Sequence, residues 1–367
     1  MSLRDLVPRA LRGVAAYHVP RPAGVRAKLD ANELPYPLPD DVAAALGREL
    51  ATVALHRYPE ADPAALRQHL ADELGVAPGQ LAFGNGSDEL IAILCAAFGE
   101  PRKGATRARV LYPDPSFVYY GIAARSHGCD AIEVTLDDDM ALDFELVDDA
   151  MRGAAPNLAF FALPNNPTGT LWSPDEVAAL AGRHPDTLVV ADEAYLAYGG
   201  RTLLPRLAEL PNLIVMRTLS KIGMAALRVG FMIAAPAIVA EVEKVRPPYN
   251  LGALNQRAAL WLLQHQGAWI EARCRDVVAE RTRLAAALAA LPELRVFPSE
   301  ANLLLVRVGR AGDGRAARAW KALQDRGILV RNFDRPGPLA GCLRITPGTP
   351  AENDLLLAEL PAALAAG

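Results

Sequence analysis

Only five of the 38 basic residues are lysine, Lys28, Lys103, Lys221, Lys244 and Lys321, so chemistry that needs a primary amine has five candidates. Lys221 lies in TLSKIGMAALRVGF (218–231), a largely apolar segment in which desolvation favours the neutral, nucleophilic amine. In the same segment the hydroxyls of Thr218 and Ser220 and the forked guanidinium of Arg228 suit a phosphate dianion. DEAY (192–195) sets Asp192 directly after the apolar TLVVA. An ionised carboxylate there calls for a cation, either a nearby arginine or a ligand group such as a protonated ring nitrogen. Tyr195, three residues on, could reach the same ligand. PNNPTG (164–169) is either a plain proline turn or, after the apolar run NLAFFAL, a place where the Asn166 amide donates to a ligand oxygen. GNGSDE (84–89) is either an ordinary helix start or an anion seat, its glycines turning the chain so that free helix N–H groups point outward. Taken together, these groups ask for a ligand with a phosphate, a cationic ring nitrogen, a ring oxygen and an aldehyde that condenses with an amine. Pyridoxal 5′-phosphate has all four.

Such groups need a scaffold that brings them to one edge. From residue 80 to 235 apolar runs alternate with amphipathic segments, which predicts an α/β domain with a mainly parallel sheet. Strands are expected at 109–113, 131–136, 157–163, 187–192, 212–218 and 229–234. Helices are expected at 87–98, capped by Ser87, and at 173–183, opened by Ser-Pro-Asp-Glu. Beyond about residue 250 come two helical segments, LGALNQRAALWLLQHQ and WIEARCRDVVAERTRLAAALAAL, then short strands ELRVFP, ANLLLVRV, GILVRNF and CLRITPG with the helix RAARAWKALQDRG. The expected division is a large domain at 46–254 and a smaller α+β domain built from 1–45 and 255–367.

Composition narrows the alternatives. The 367 residues suggest about two domains, and 51% hydrophobic with 22% charged residues describes a globular chain rather than a disordered one. A net charge of −4 offers no general attraction to nucleic acid or anionic membranes. The longest strongly apolar uncharged stretch, 229–240, is shorter than the roughly 20 residues that span a bilayer, and the N-terminus has no secretory pattern, so a cytoplasmic protein is expected. Cys95, Cys129, Cys274 and Cys342 are scattered and read as packed thiols, with no metal site. Glu89 occupies the place of the third glycine in a dinucleotide fingerprint, and neither His-Glu-x-x-His nor Gly-x-Ser-x-Gly occurs.

In these segments the chain resembles the fold-type I aminotransferases and, among them, the histidinol-phosphate aminotransferases. KLDANELPYP (28–37), RYPE (57–60), YPDPSFVYY (112–120), VRNF (330–333) and CLRITPGTPAEN (342–353) extend the likeness, in order, over nearly the whole chain. The resemblance implies a large domain with a mainly parallel seven-stranded sheet flanked by helices, plus a smaller α+β domain. It implies that Lys221 condenses with pyridoxal phosphate, that Asp192 pairs with the pyridine nitrogen, and that Asn166 and Tyr195 contact the ring's 3-oxygen. Gly86, Ser87 and Asp88 with Thr218, Ser220 and Arg228 would hold the phosphate, and Phe117 would stack on the ring, without the hydroxyl that relatives often carry there. Tyr58 would reach the phosphate in a neighbouring subunit, which implies a homodimer with shared sites. Tyr17, Asn32, Arg331 and Arg344 would bind substrate. The reaction implied is transfer of the amino group of L-histidinol phosphate to 2-oxoglutarate. An aromatic amino-acid aminotransferase and a threonine-phosphate decarboxylase are the alternatives within the same architecture.

Overall fold

The computed structural model describes residues 23–102 and 104–365, together with Arg12. In chain order, β1 (Ala27–Leu29) belongs to a small sheet, and α1 (Asp40–Leu50) and α2 (Ala64–Leu74) lead into a large one. The large sheet comprises β2 (Leu81–Asn85), β3 (Arg109–Asp114), β4 (Asp130–Thr135), β5 (Leu158–Ala162), β6 (Leu188–Asp192), β7 (Leu213–Thr218) and β8 (Val229–Ile233). Its spatial order is β2-β8-β7-β6-β5-β3-β4, with only β8 antiparallel to its neighbours. This is the mainly parallel seven-stranded sheet implied by the resemblance. The six expected strands form within a residue or two of their predicted limits; β1 and β2 were not anticipated.

Every residue of β5, LAFFA, is buried, as expected for a parallel strand covered on both faces. Alternation along the strand divides the core. Phe161, with Ala159, Val215 and Phe231, packs under α6 (Pro174–Arg183) and the first part of α8 (Ala253–Ala289). Phe160, with Val190, Ile214 and Met232, packs under α3 (Gly86–Ala97), α4 (Tyr119–Ser126) and α7 (Pro236–Val245). Burying each phenyl ring contributes about 2 to 3 kcal/mol. Between β4 and β5, α5 (Phe144–Ala154) is capped by Asp143, which accepts from the N–H groups of Glu145 at 2.9 Å and Leu146 at 3.2 Å. Ser173 caps α6 by accepting from Glu176 N–H at 3.3 Å.

The two helical segments expected beyond residue 250 are one continuous 37-residue helix, α8. Gly267 remains helical although glycine disfavours a helix interior by about 1 kcal/mol. Burial of Leu262 before it and of Ile270, Cys274 and Val277 after it outweighs that preference. The far end of α8, at Leu284 and Leu288, packs instead on the second sheet, formed by β9 (Leu294–Val296), β10 (Leu304–Val308), β11 (Ile328–Asn332) and β12 (Cys342–Ile345) with β1. The order there is β1-β11-β12-β10-β9, and α9 (Arg315–Asp325) and α10 (Pro350–Ala365) complete its cover. No helix among the described residues is long and apolar enough to cross a membrane.

Candidate active site

Strand order decides where a ligand can sit. From β3 the chain runs outward to β4, then returns past β3 to β5 and proceeds the other way through β6 and β7. The loops after β3 and β5 therefore diverge, opening a crevice at the carboxyl ends of the strands. Phe117 follows β3, Asn166 follows β5, Asp192 ends β6, and Thr218 ends β7 with Ser220 and Lys221 in the short turn beyond. Six of the predicted residues thus stand along one sheet edge because each ends a parallel strand or lies within four residues of its end.

The anion seat forms where β2 turns into α3. Ser87 does not cap this helix as expected; the helix begins at Gly86, and Asn85 occupies the N-cap without a side-chain hydrogen bond. The first turn thus has no side-chain cap from its N-cap residue, unlike α5 and α6, whose caps Asp143 and Ser173 accept from first-turn N–H groups. Facing the start of α3, Arg228 donates to Ser220 Oγ at 3.2 Å and to Asp88 Oδ2 at 2.9 Å. Thr218 Oγ1 accepts from Ser220 N–H at 3.1 Å and holds the turn. Space is tight: Gly86 has φ +77°, and a Cβ there would overlap the Arg228 guanidinium. A Cβ on Gly230 in β8 would come within 2.5 Å of Gly86 C and Ser87 N, so β8 can run beside the helix start only as glycine.

Asp192 is 4% exposed. Of the two partners expected for it, the arginine goes to its neighbour: Arg217 Nε donates to Glu193 at 3.0 Å. Asp192 instead accepts from the Tyr120 hydroxyl at 2.6 Å and the Ala194 N–H at 3.2 Å, both neutral. Burial pushes its pKa up to about 6, with the Tyr120 hydrogen bond pulling the other way. The carboxylate is thus desolvated and lacks a cation among these partners, a state that a protonated ring nitrogen would relieve. Tyr120 is itself fully buried, stacked on Phe160 at 4.9 Å and edge-on to Phe117 at 5.6 Å.

Lys221 is half-buried rather than buried, with Nζ 5.8 Å from the centre of the Tyr195 ring, and its backbone carbonyl accepts from the Tyr198 hydroxyl. Arg344 reaches in from β12, donating to Asn166 Oδ1 at 2.7 Å and to the Asp30 carbonyl at 2.6 Å. With Oδ1 engaged, the Asn166 amide has Nδ2 left to offer. Arg331 lies directly opposite Arg344 across the β11–β12 ladder, so both guanidinium groups leave the same face. Asn32, expected at the substrate, is 1% exposed and donates from Nδ2 to the Tyr195 hydroxyl at 2.9 Å. Tyr58 does not join this group; it is 82% exposed and stacked on Tyr249 at 4.9 Å. Tyr17 lies outside the described residues. Tyr120, Gly230 and Thr346 were not singled out from the sequence, because their contacts link segments far apart in the chain.

A mainly parallel seven-stranded sheet beside a smaller five-stranded one, with an uncapped helix start, a facing arginine, a buried carboxylate and an amine gathered at one crevice, is the scaffold of an aminotransferase. The chain belongs to the aminotransferase class I and II family, which it matches over residues 26–360. It is 43% identical over 363 residues to a histidinol-phosphate aminotransferase of Burkholderia lata, covering 98% of each chain. Its structure resembles that of histidinol-phosphate aminotransferase from Sinorhizobium meliloti in complex with pyridoxal-5′-phosphate, with a TM-score of 0.83, 28% identity, and coverage of 93% of this chain and 91% of that one. It also resembles L-threonine-O-3-phosphate decarboxylase from Porphyromonas gingivalis, with a TM-score of 0.77, 25% identity, and coverage of 92% and 99%.

Proposed function

We propose that this chain uses pyridoxal 5′-phosphate to transfer the amino group of L-histidinol phosphate to 2-oxoglutarate, giving imidazole acetol phosphate and L-glutamate in cytoplasmic histidine biosynthesis. The observation that carries the substrate assignment is the pair Arg331 and Arg344, directly opposite on one face of the small sheet beside Asn166. Like charges so placed repel, and a dianion between them turns that repulsion into binding. A phosphate meets the demand in one half-reaction and a carboxylate of glutamate in the other, since guanidinium binds either in a forked geometry. The near full-length similarity to histidinol-phosphate aminotransferases supports the same reading.

The residues fit the cofactor. The cradle that a Cβ at Gly86 would fill accepts a phosphate among the N–H groups of Gly86, Ser87 and Asp88, the hydroxyls of Thr218 and Ser220, and Arg228. Asp192, whose partners among the described residues are the neutral Tyr120 hydroxyl and Ala194 N–H, would hold the proton on the ring nitrogen. Asn166 and Tyr195 would donate to the ring's 3-oxygen, and Phe117 would cover a ring face. When bound, pyridoxal phosphate supplies an aldehyde that condenses with amines and a ring that accepts the electron pair freed at the substrate carbon. Lys221 would be the amine that holds the cofactor, and its Nζ would be the base that takes the proton from the carbon bearing the amino group. Arg344 and Arg331, with Tyr17, bind the substrate anion.

Residues 46–254 are read as the cofactor domain and 1–45 with 255–367 as the smaller one. The active form is read as a homodimer in which Tyr58 reaches the phosphate in the partner subunit. Supporting this, Leu55, Tyr58 and Tyr249 are 75%, 82% and 43% exposed, and Tyr58 stacks on Tyr249 at the surface. The test is twofold. Borohydride reduction of the loaded protein is expected to fix the cofactor on Lys221, and histidinol phosphate is expected to convert its absorbance to the amine form in a single half-reaction. Faster conversion by phenylalanine would instead assign an aromatic aminotransferase, and release of carbon dioxide from threonine phosphate a decarboxylase.

A further inference from the structure

The contacts of Asn32 exceed what a substrate-binding amide needs. Its backbone N–H donates to Thr346 Oγ1 at 2.9 Å, its carbonyl accepts from Asn302 Nδ2 at 3.0 Å, its Oδ1 accepts from the Thr346 hydroxyl at 3.0 Å, and its Nδ2 donates to the Tyr195 hydroxyl at 2.9 Å. Each polar atom is engaged, and the residue is held at φ +54°, in the left-handed region that side-chain-bearing residues seldom adopt. Backbone strain in a buried residue persists where the surroundings over-determine it, and here the surroundings come from Thr346 just beyond β12, from Asn302 in the loop before β10 and from Tyr195.

The order of donors fixes the direction of every proton in the set. A backbone N–H can only donate, so Thr346 Oγ1 accepts it and gives its single proton to Asn32 Oδ1. Because Oδ1 accepts that proton, the amide nitrogen is the group turned to Tyr195, and an amide nitrogen can only donate. The phenol oxygen of Tyr195 is therefore an acceptor toward Asn32, and its own proton has to be given elsewhere. We propose that Asn32 is a positioning residue which, through this one-way relay from Thr346, aims the Tyr195 hydroxyl proton at the 3-oxygen of the cofactor ring. The inference rests on the cofactor reading given above. It makes the small sheet, through Thr346 on the segment leaving β12, the determinant of how strongly Tyr195 stabilises negative charge on that oxygen. Other titratable groups facing the phenol are Lys221, Tyr120 and Tyr198. On the Asn32 segment itself, Glu33 is engaged with Lys28, and the Asp30 carbonyl with Arg344.

Asn32→Asp reverses the polarity at constant shape: a carboxylate oxygen replaces Nδ2 and accepts the phenol proton, withdrawing it from the cofactor. A hydrogen bond to a charged oxygen corresponds to about one to two pH units in the titration of the group it stabilises. The readout is the pH at which the visible absorption of the Lys221-bound cofactor changes colour, together with the affinity of the cofactor-free chain for pyridoxal phosphate. Asn32→Asp is expected to move the colour midpoint upward by about that amount and to weaken cofactor binding. In a Tyr195→Phe background the same substitution is expected to leave the midpoint where Tyr195→Phe alone puts it. An equal shift in both backgrounds would mean that the new charge acts directly, and would overturn the proposal, as would no shift in either. Should Asn32→Asp fail to fold, Thr346→Val, which removes the relay's middle proton and frees the amide to turn over, is expected to give a smaller upward shift that Tyr195→Phe abolishes; an unchanged midpoint overturns the proposal. If no borohydride-fixable band forms on Lys221 in the parent protein, the cofactor reading itself has failed.

Discussion

Replacing Asp192 by asparagine is expected to stabilise the cofactor-free protein while disabling the loaded one. The carboxyl is buried, its partners are the Tyr120 hydroxyl and the Ala194 N–H, and burial moves its pKa from an ordinary 3.8 to about 6. Such a group favours the folded state only while protonated. Below about 3.8 the folded and unfolded chains both carry the proton and no penalty arises. As pH rises the unfolded chain ionises first, and above about 6 the full penalty of about 3 kcal/mol is present. Asparagine has the same shape, still accepts from Ala194 and presents an amide to the Tyr120 oxygen, but has no charge to bury. Urea unfolding of the cofactor-free proteins at pH 8 is therefore expected to show Asp192→Asn more stable by about 3 kcal/mol, the gap shrinking by about half at pH 5. With cofactor bound the order is expected to reverse, because the ring nitrogen loses its counter-charge. A pH-independent difference, or an asparagine variant less stable than the parent at pH 8, would refute the view of Asp192 as a buried carboxylate held in wait for a cation.

Three further outcomes follow from the same geometry. Gly230→Ala places a Cβ within 2.5 Å of the Gly86 and Ser87 backbone, so the start of α3 has to move; cofactor affinity, measured by fluorescence titration, is expected to fall at least tenfold. Arg344→Ala is expected to weaken both half-reactions, since it also releases Asn166, whereas Arg331→Ala is expected to weaken chiefly the reaction of the phosphorylated substrate; equal effects in stopped-flow half-reactions would remove that division. Tyr58→Ala is expected to lower cofactor retention without changing the fold of a protomer, as judged by circular dichroism, because that side chain is exposed and stacks on Tyr249 alone among the described residues.

The sheet edge was legible because parallel strands announce themselves: NLAFFAL, TLVVAD and NLIVMRT are short, largely apolar runs, and the polar residue that ends or soon follows each run lands in the crevice by topology alone. Asp192 could be flagged from sequence since a carboxylate closing a buried run needs a partner, yet Tyr120, 72 residues away, carries no local mark of being that partner. Likewise Asn32 and Thr346 are 314 residues apart, and no periodicity links them. The strand β2 was missed because LAFGN ends in the glycine-rich turn and takes its place only by pairing with β8. The two helical segments read from the sequence on either side of Gly267 join into α8 because of apolar burial on both sides, which no local pattern shows.

The unbroken course of α8 has a practical corollary for anyone who would cut this protein in two. Its first half seals the core beneath the large sheet and its last turns seal the core of the small one, so every severing point near residue 255 or 290 strips one body of part of its lining. A fragment ending at 254 would expose the partners of Leu262, Ile270, Cys274 and Val277 to water, and is expected to aggregate rather than serve as a soluble, minimal cofactor carrier.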